Sequence, residues 1–321
     1  MNILITSAGQ RVSLVRAFQK EIINNNIKSL VFTTDLKPEL SAACNVSDQS
    51  FKVGRFMDHD YIDVLLSLCI KNNVKIVIPT IDTELLLLAE NKEFFQNNGI
   101  NIVVSDEYFI KICRDKRLIN TFFNDNNIDT PKAVDKYNPT FPLFIKPFDG
   151  SRSVDTFVIQ KPEELLDIHM NNDKFMFMEY IDKNLYDEYT LDLYYGKDCC
   201  IKSVIPRKRI AVRTGEILKG VTCKNRLVNL IKDKLLYIKG VVGCITLQLF
   251  YSEQTENIYG IEINPRFGGG FPLSYVAGGN YPGWLIKEFI LNEEVSYFDE
   301  WENHLLMLRY DDEIIIHGYK D

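Results

Sequence analysis

Ile245-Thr246-Leu247-Gln248-Leu249-Phe250-Tyr251, then Ser252-Glu253-Gln254-Thr255-Glu256-Asn257, then Ile258-Tyr259-Gly260-Ile261-Glu262-Ile263-Asn264-Pro265-Arg266-Phe267, is the stretch on which the reading of this chain turns. Two apolar-rich runs flank a polar one, a pattern that predicts a β-hairpin. Strand side chains alternate between faces, so Glu262 and Asn264 share one face while Ile261 and Ile263 point the other way, toward a core. With the turn centred near Thr255, Gln248 falls opposite Glu262, and opposed Cβ atoms are only about 5 Å apart. Three hard-oxygen side chains then converge. Magnesium takes such donors and fills its other positions with water and substrate phosphates. Neither His nor Cys joins them, which argues against zinc. Gly268-Gly269-Gly270 follows directly after Arg266. A cation and three glycines beside a carboxylate suit an anion that approaches the backbone closely.

The surrounding chain is an ordinary globular sequence of 321 residues, 46% apolar and 25% charged, which excludes disorder and collagen-like structure. At about 150 residues per domain it holds two or so domains. Thirty-seven basic against 44 acidic residues give a net charge of −7, which disfavours nucleic acid as a partner. No apolar run approaches the roughly 18 residues of a membrane span, and the amino terminus reads as a first strand, not a signal peptide. Seven cysteines without a C-x-x-C pair read as free thiols in a reducing cytosol, so the expected location is cytoplasmic.

Residues 1–112 alternate strand and helix: strands at 2–6, 30–34, 75–79 and 101–104, helices at 11–25, 61–72 and 84–95. Such alternation predicts a parallel sheet. The turn after the first strand, Ser7-Ala8-Gly9-Gln10-Arg11, has one glycine where a dinucleotide fingerprint needs three. A second unit opens near Arg114 with a helix at 116–126. Strands are expected from Pro131, at 142–146, 157–160 and 175–180, and a helix at 162–170. A third unit carries strands near 188–195 and 200–205, a helix at 225–239, the hairpin, and two tail strands at 305–310 and 313–317. None of the four histidines (59, 169, 304, 317) pairs with a nucleophile in any readable spacing.

Gln248 with Glu262-Ile263-Asn264-Pro265-Arg266, preceded by Lys146-Pro147 and Glu179-Tyr180-Ile181, resembles the ATP-grasp superfamily, and is most similar to short proteins related to the large subunit of carbamoyl phosphate synthase. The resemblance covers nearly the whole chain. It implies an α/β protein built of α+β lobes: a Rossmann-like pre-ATP-grasp domain (1–112), a central lobe (113–185), and a carboxy-terminal lobe with the metal hairpin (186–321). It implies ATP as cofactor with two magnesium ions, manganese being the alternative, held by Gln248, Glu262 and Asn264. Lys116 and Lys146 match the family's phosphate-contacting lysines, and Glu179, Tyr180 and Ile181 its adenine hinge. Glu188, with Asp187 as fallback, matches the ribose-binding acid.

The phosphate loop departs from the family pattern. Gly150 and Ser151 remain, but Ser153 stands where a glycine is expected, and Asp149 adds negative charge that Arg152 could offset. The basic run Arg207-Lys208-Arg209, Arg213, Lys219 is expected to face the γ-phosphate or an acceptor carboxylate, with Arg207, Arg213, Lys219 and Arg266 as catalytic candidates. An acceptor pocket between the first and last lobes would draw on Gly9, Arg11, Asp82, Glu84 and the loop 268–274; Asp82 and Glu84 could equally cap a helix.

The resemblance implies a carboxylate–amine ligase working through an acyl phosphate and releasing ADP and phosphate. Its partners would be a small carboxylate and an amine, with a homodimer left open. Two other readings stand beside it: phosphorylation of bicarbonate or carbamate, and a nucleotide-binding regulator suggested by the glycine-poor loop.

Overall fold

The computed structural model describes residues 1–150 and 154–319. The amino-terminal elements follow as β1 (Asn2–Thr6), α1 (Val12–Asn24), β2 (Val31–Asp35), α2 (Ala42–Val46), β3 (Gln49–Lys52), α3 (Tyr61–Lys71), β4 (Val74–Pro79), α4 (Asp82–Glu90), α5 (Lys92–Gln96) and β5 (Asn101–Ile102). The strands pair in parallel in the order β3-β2-β1-β4-β5. β1 is central because its run Ile3-Leu4-Ile5 is wholly buried, which a parallel strand covered on both faces requires. The expected helix at 84–95 divides at Asn91 into α4 and α5.

The turn after β1 is closed by the chain's own side chains. Asp35 at the end of β2 accepts from the Gly9 amide at 3.1 Å. Dinucleotide enzymes use an acid near this place to bind a ribose; here Asp35 is engaged by the chain's own turn.

Next come α6 (Glu107–Arg114) and α7 (Lys116–Asp125). α6 adds to the helices the sequence predicts, although its signal is local: Asp106 caps it by accepting from the Phe109 amide at 2.8 Å, and Asp115 caps α7 by accepting from the Arg117 amide. β6 (Leu143–Pro147), β7 (Phe157–Ile159), α8 (Asp167–Met170) and β8 (Phe175–Glu179) follow. They form a three-stranded antiparallel sheet, β7-β6-β8, over a small core of Leu143, Ile145, Ile159 and Phe177. The helix expected at 162–170 is a 3-10 turn, Pro162–Glu164, and the single turn of α8. The strand expected from Pro131 is reduced to a bridge between Ala133 and Met178.

The remainder is β9 (Asp187–Tyr195), β10 (Ile201–Arg213), β11 (Glu216–Thr222), α9 (Leu227–Lys234), β12 (Gly243–Tyr251), β13 (Ile258–Asn264), α10 (Phe271–Val276), α11 (Tyr281–Ile286) and β14 (Leu306–Leu308). Six strands pair in the order β13-β12-β9-β10-β11-β14. The basic run is not a loop. It lies in the hairpin β10–β11, turned by Thr214 (φ 48°) and Gly215 (φ 79°), the left-handed pair that matches the twist of a two-residue hairpin. The helix expected at 225–239 ends by Lys234. The tail strand at 313–317 is absent and that at 305–310 shrinks to β14.

The chain has the ATP-grasp architecture: an open parallel sheet, then two antiparallel sheets that face each other across a cleft. One core of buried residues joins β1 and α1 to the back of the six-stranded sheet, so the first and last lobes are packed as one.

Candidate functional site

A cleft of about 940 Å³ is lined by all three lobes. Its floor is the six-stranded sheet. Register places Arg207, Thr190, Gln248 and Glu262 opposite one another across β10, β9, β12 and β13. The next row is Asp192, Thr246 and Asn264. The expected Gln248–Glu262 opposition is therefore what the backbone makes. Asn264 Nδ2 donates to Glu262 Oε1 at 3.0 Å, and all three side chains line the cleft. Ile263 is buried as expected, but Ile261 is half-buried and lines the cleft. A register shift between Gln248 and Leu249, where Leu249 pairs with Gly260, changes the parity there.

Facing this floor is Lys146, at the end of β6 and only 7% exposed. Burial, reinforced by Lys116 and opposed by Glu262, brings its ammonium down from 10.5 to about 8. Lys116, at the start of α7, donates to the Gly150 carbonyl, and burial lowers its ammonium as well. Two desolvated cations facing one carboxylate leave an uncompensated positive charge in the cleft. Gly150 lines it too; a Cβ there would come within 2.4 Å of Pro147 Cγ. Ser151, with Arg152 and Ser153, lies outside the described residues. Asp149 is neutralised by Lys174 at 2.7 Å, which holds its carboxyl below the usual range.

An apolar slot at one end is lined by Phe144, Met178, Ile181, Phe250 and Ile261, beside Tyr180. Glu179 lines it as well, but one of its oxygens accepts from the Lys132 amide at 2.9 Å, and its own amide donates to the Lys132 carbonyl. It clamps the 131–133 segment, leaving backbone groups of the hinge for a base. Glu188 faces the cleft while Tyr189, Leu191 and Leu193 are buried behind it, as alternation required. It is engaged by Gln248 Nε2 and lies 3.1 Å from Arg209 Nε. Asp187 points elsewhere, to Lys208 at 2.6 Å.

The four arginine and lysine candidates of the last lobe separate. Arg207 lines the cleft but is 1% exposed and bound through Nε and Nη2 to Asp192 (0% exposed) at 2.9 and 3.0 Å. Asp192 also accepts from Ser274 Oγ at 2.6 Å. Gly270 makes room for this guanidinium, since a Cβ there would lie 2.1 Å from Arg207 Nη1. Arg207 thus supports the floor through a buried ion pair. Arg213 is exposed at the hairpin tip, 3.2 Å from Asp311, and Lys219 is exposed between Ala211 and Leu308. Neither lines the cleft. The cause is a register shift after Arg209, which sends Val212 inward in place of Arg213. Arg266 does line the cleft; its Nη2 binds Asp82 and its Nη1 donates to the Phe267 carbonyl at 3.1 Å.

Asp82 is therefore neither a free ligand nor a cap. Glu84 is a buried hub, accepting from Thr6 Oγ1 (2.8 Å), Ser7 Oγ (3.0 Å), Tyr61 OH (3.1 Å) and the Thr80 amide (3.3 Å), with its carboxyl raised by burial. It neither caps α4 nor lines the cleft. Arg209 also lines the cleft; period-two alternation from Arg207 points to it once 200–213 is read as one strand.

Among the described residues no group of three or more His, Cys, Asp or Glu side chains could hold a metal. The floor offers one carboxylate and two amides, all hard donors, which fits magnesium arriving with phosphate oxygens.

The fold is that of ATP-grasp proteins, and two family models match parts of the chain. A model of PylC-like N-terminal domains matches residues 3–103, and a model of the ATP-grasp in the biosynthetic pathway with Ter operon matches residues 171–312. Similar solved structures include the biotin carboxylase domain dimer of Hydrogenobacter thermophilus 2-oxoglutarate carboxylase in complex with MgADP, ADP and bicarbonate: TM-score 0.68, 13% identity, 95% of this chain and 73% of that one. N5-carboxyaminoimidazole synthetase from Staphylococcus aureus matches at TM-score 0.68 and 13% identity, covering 92% and 78%. An L-amino acid ligase from Bacillus licheniformis matches at 0.64 and 16%, covering 90% and 73%. No curated protein sequence matches this chain. No helix among the described residues is long and apolar enough to cross a membrane.

Proposed function

We propose that the chain is an ATP- and magnesium-dependent carboxylate–amine ligase of three lobes (1–112, 113–185, 186–321) that works through an acyl phosphate and releases ADP and phosphate. The observation that carries it is the set of groups gathered in one cleft: an apolar slot, Lys116 and Lys146, Glu262 and Asn264, and the guanidiniums of Arg266 and Arg11. The two lysines are within electrostatic reach of Glu262, and Arg11 of Arg266. A base, a triphosphate with its metal, and an acceptor anion match those groups. Phosphoryl transfer asks a protein mainly for positioning and neutralised charge. Glu262 and Asn264, with Gln248 beside them, would hold magnesium, which supplies Lewis-acid neutralisation of the phosphate oxygens. Lys116 and Lys146 bind the phosphates. Glu188 is the acid available to a ribose, once Gln248 and Arg209 share it.

Incubation with ATP, magnesium and panels of acids and amines, followed by nucleotide chromatography, tests the reading. ADP dependent on an acid–amine pair, with a hydroxamate trapped by hydroxylamine when the amine is left out, is the expected result; AMP as main product refutes it. The biotin carboxylase and carboxyaminoimidazole synthetase neighbours favour a second reading, activation of bicarbonate. ADP release that needs bicarbonate and no organic acid would select it.

A further inference from the structure

Two arginines, Arg11 and Arg266, and two carboxylates, Asp82 and Glu216, line the acceptor end of the cleft. Arg266 is paired with Asp82, and Arg309 with Glu216 at 2.6 Å. Arg11 lines the same cleft beside Asp82, Arg266 and Gly268–Gly270. Its guanidinium makes no hydrogen bond and no ion pair among the described residues. Arg266 Nε is buried there without a hydrogen-bond partner. Burial and the neighbouring Arg266 bring Arg11 down to about 10, against the pull of Glu216 and Asp82. One unpaired cation, desolvated among charged neighbours, is costly to hold unless an anion completes it.

Its backbone is fixed in advance. Ser7 Oγ is tied to Glu84, and the Ser7 carbonyl accepts from Thr80 Oγ1 at 2.8 Å. Gly9 donates to Asp35 and its carbonyl accepts from Ser41 Oγ at 2.9 Å and from the Ala43 amide at 3.0 Å. Arg11 immediately precedes α1, whose amino-terminal end adds positive potential. A surface arginine needs no such scaffold; a recognition group does.

We propose that Arg11 holds a carboxylate that the reaction leaves intact, so that the amine substrate is an amino acid. Arg11 pairs with its carboxylate. This rests on the ligase reading for its catalytic consequence, but binding can be read without turnover.

Phenylglyoxal labelling of the whole protein with MgADP present, mapped by peptide mass spectrometry, provides that readout. The probes are the common α-amino acids, their amides, and bicarbonate. At least one amino acid should cut labelling of Arg11 about tenfold or more while exposed Arg213 stays labelled, and its amide should not protect. Equal protection by acid and amide, protection by bicarbonate alone, or none by any amino acid overturns the proposal. In turnover, Arg11→Gln should raise KM for the protecting amino acid about 100-fold, as expected for loss of a charged hydrogen-bonded pair, with KM for ATP unchanged and partial rescue by Arg11→Lys. A parallel rise in KM for ATP places Arg11 in the nucleotide site and also overturns it. Wild-type protein that shows amino-acid protection but forms no ADP sinks the ligase reading and leaves this one standing.

Discussion

Replacing Lys146 by methionine separates what this lysine costs the fold from what it does for the nucleotide. The ammonium is 7% exposed and falls from 10.5 to about 8, first through burial and then through Lys116, with Glu262 opposing. The folded protein thus holds this proton less tightly than the unfolded chain. Between pH 8 and 10.5 the unfolded chain binds more protons, so the ligand-free protein gains stability from this group as pH rises through that window. Below pH 8 the charged lysine costs the fold up to about 3.5 kcal/mol, from about 1.4 kcal/mol for each of the 2.5 pH units. Lys146→Met keeps the length and apolar stem and removes the charge. The ligand-free variant should be more stable than wild type at pH 7 by up to that amount, and the gain should vanish near pH 10.5. A triphosphate supplies the missing counter-charge, so the wild type should take up a proton on binding MgATP near pH 8.5. The variant should bind MgATP about 10- to 100-fold more weakly, the worth of a charged hydrogen bond. Thermal unfolding from pH 6.5 to 10, with and without MgATP, measures both. A variant less stable than wild type at pH 7, or one stabilised by MgATP as much as wild type, refutes the reasoning.

Three further tests follow from the site. Asp192→Ala strands Arg207 in the floor without its partner and should cost about 3–5 kcal/mol in urea unfolding, part of which the double variant with Arg207→Met should restore. Glu262→Gln keeps shape and removes the one carboxylate of the metal face; ADP formation should fall at least about 100-fold with the melting temperature within about 2 °C of wild type, and normal turnover with normal magnesium titration would dismiss the metal assignment. Arg213→Ala and Lys219→Ala, both exposed and outside the cleft, should leave kcat/KM within about twofold of wild type and stability within about 0.5 kcal/mol; a loss beyond tenfold would mean that the hairpin closes over the substrate.

Local pattern determined a good part of this protein. Period-two alternation was enough to set Glu262 and Asn264 on one face, but the pairs nearest the turn, Tyr251–Ile258 to Leu249–Gly260, would by themselves have put Gln248 opposite Ile261, and it is the register shift after them that brings Gln248 opposite Glu262. The same alternation turned Glu188 to the cleft, and strand–helix alternation announced the parallel sheet. Tertiary structure decided where charges point and what they meet. A register shift after Arg209 sent Arg213 to solvent, and another beside Gly260 turned Ile261 into the cleft; such insertions depend on cross-strand packing that no short window contains. Arg207 and Asp192 are 15 residues apart in the chain, and Arg266 and Asp82 are 184 apart. Each pair was invisible as a pair, because a basic residue looks the same in sequence whether it awaits a substrate or is already neutralised. Only folding brings the carboxylates to Arg207 and Arg266, and leaves Arg11 without a paired one among the described residues.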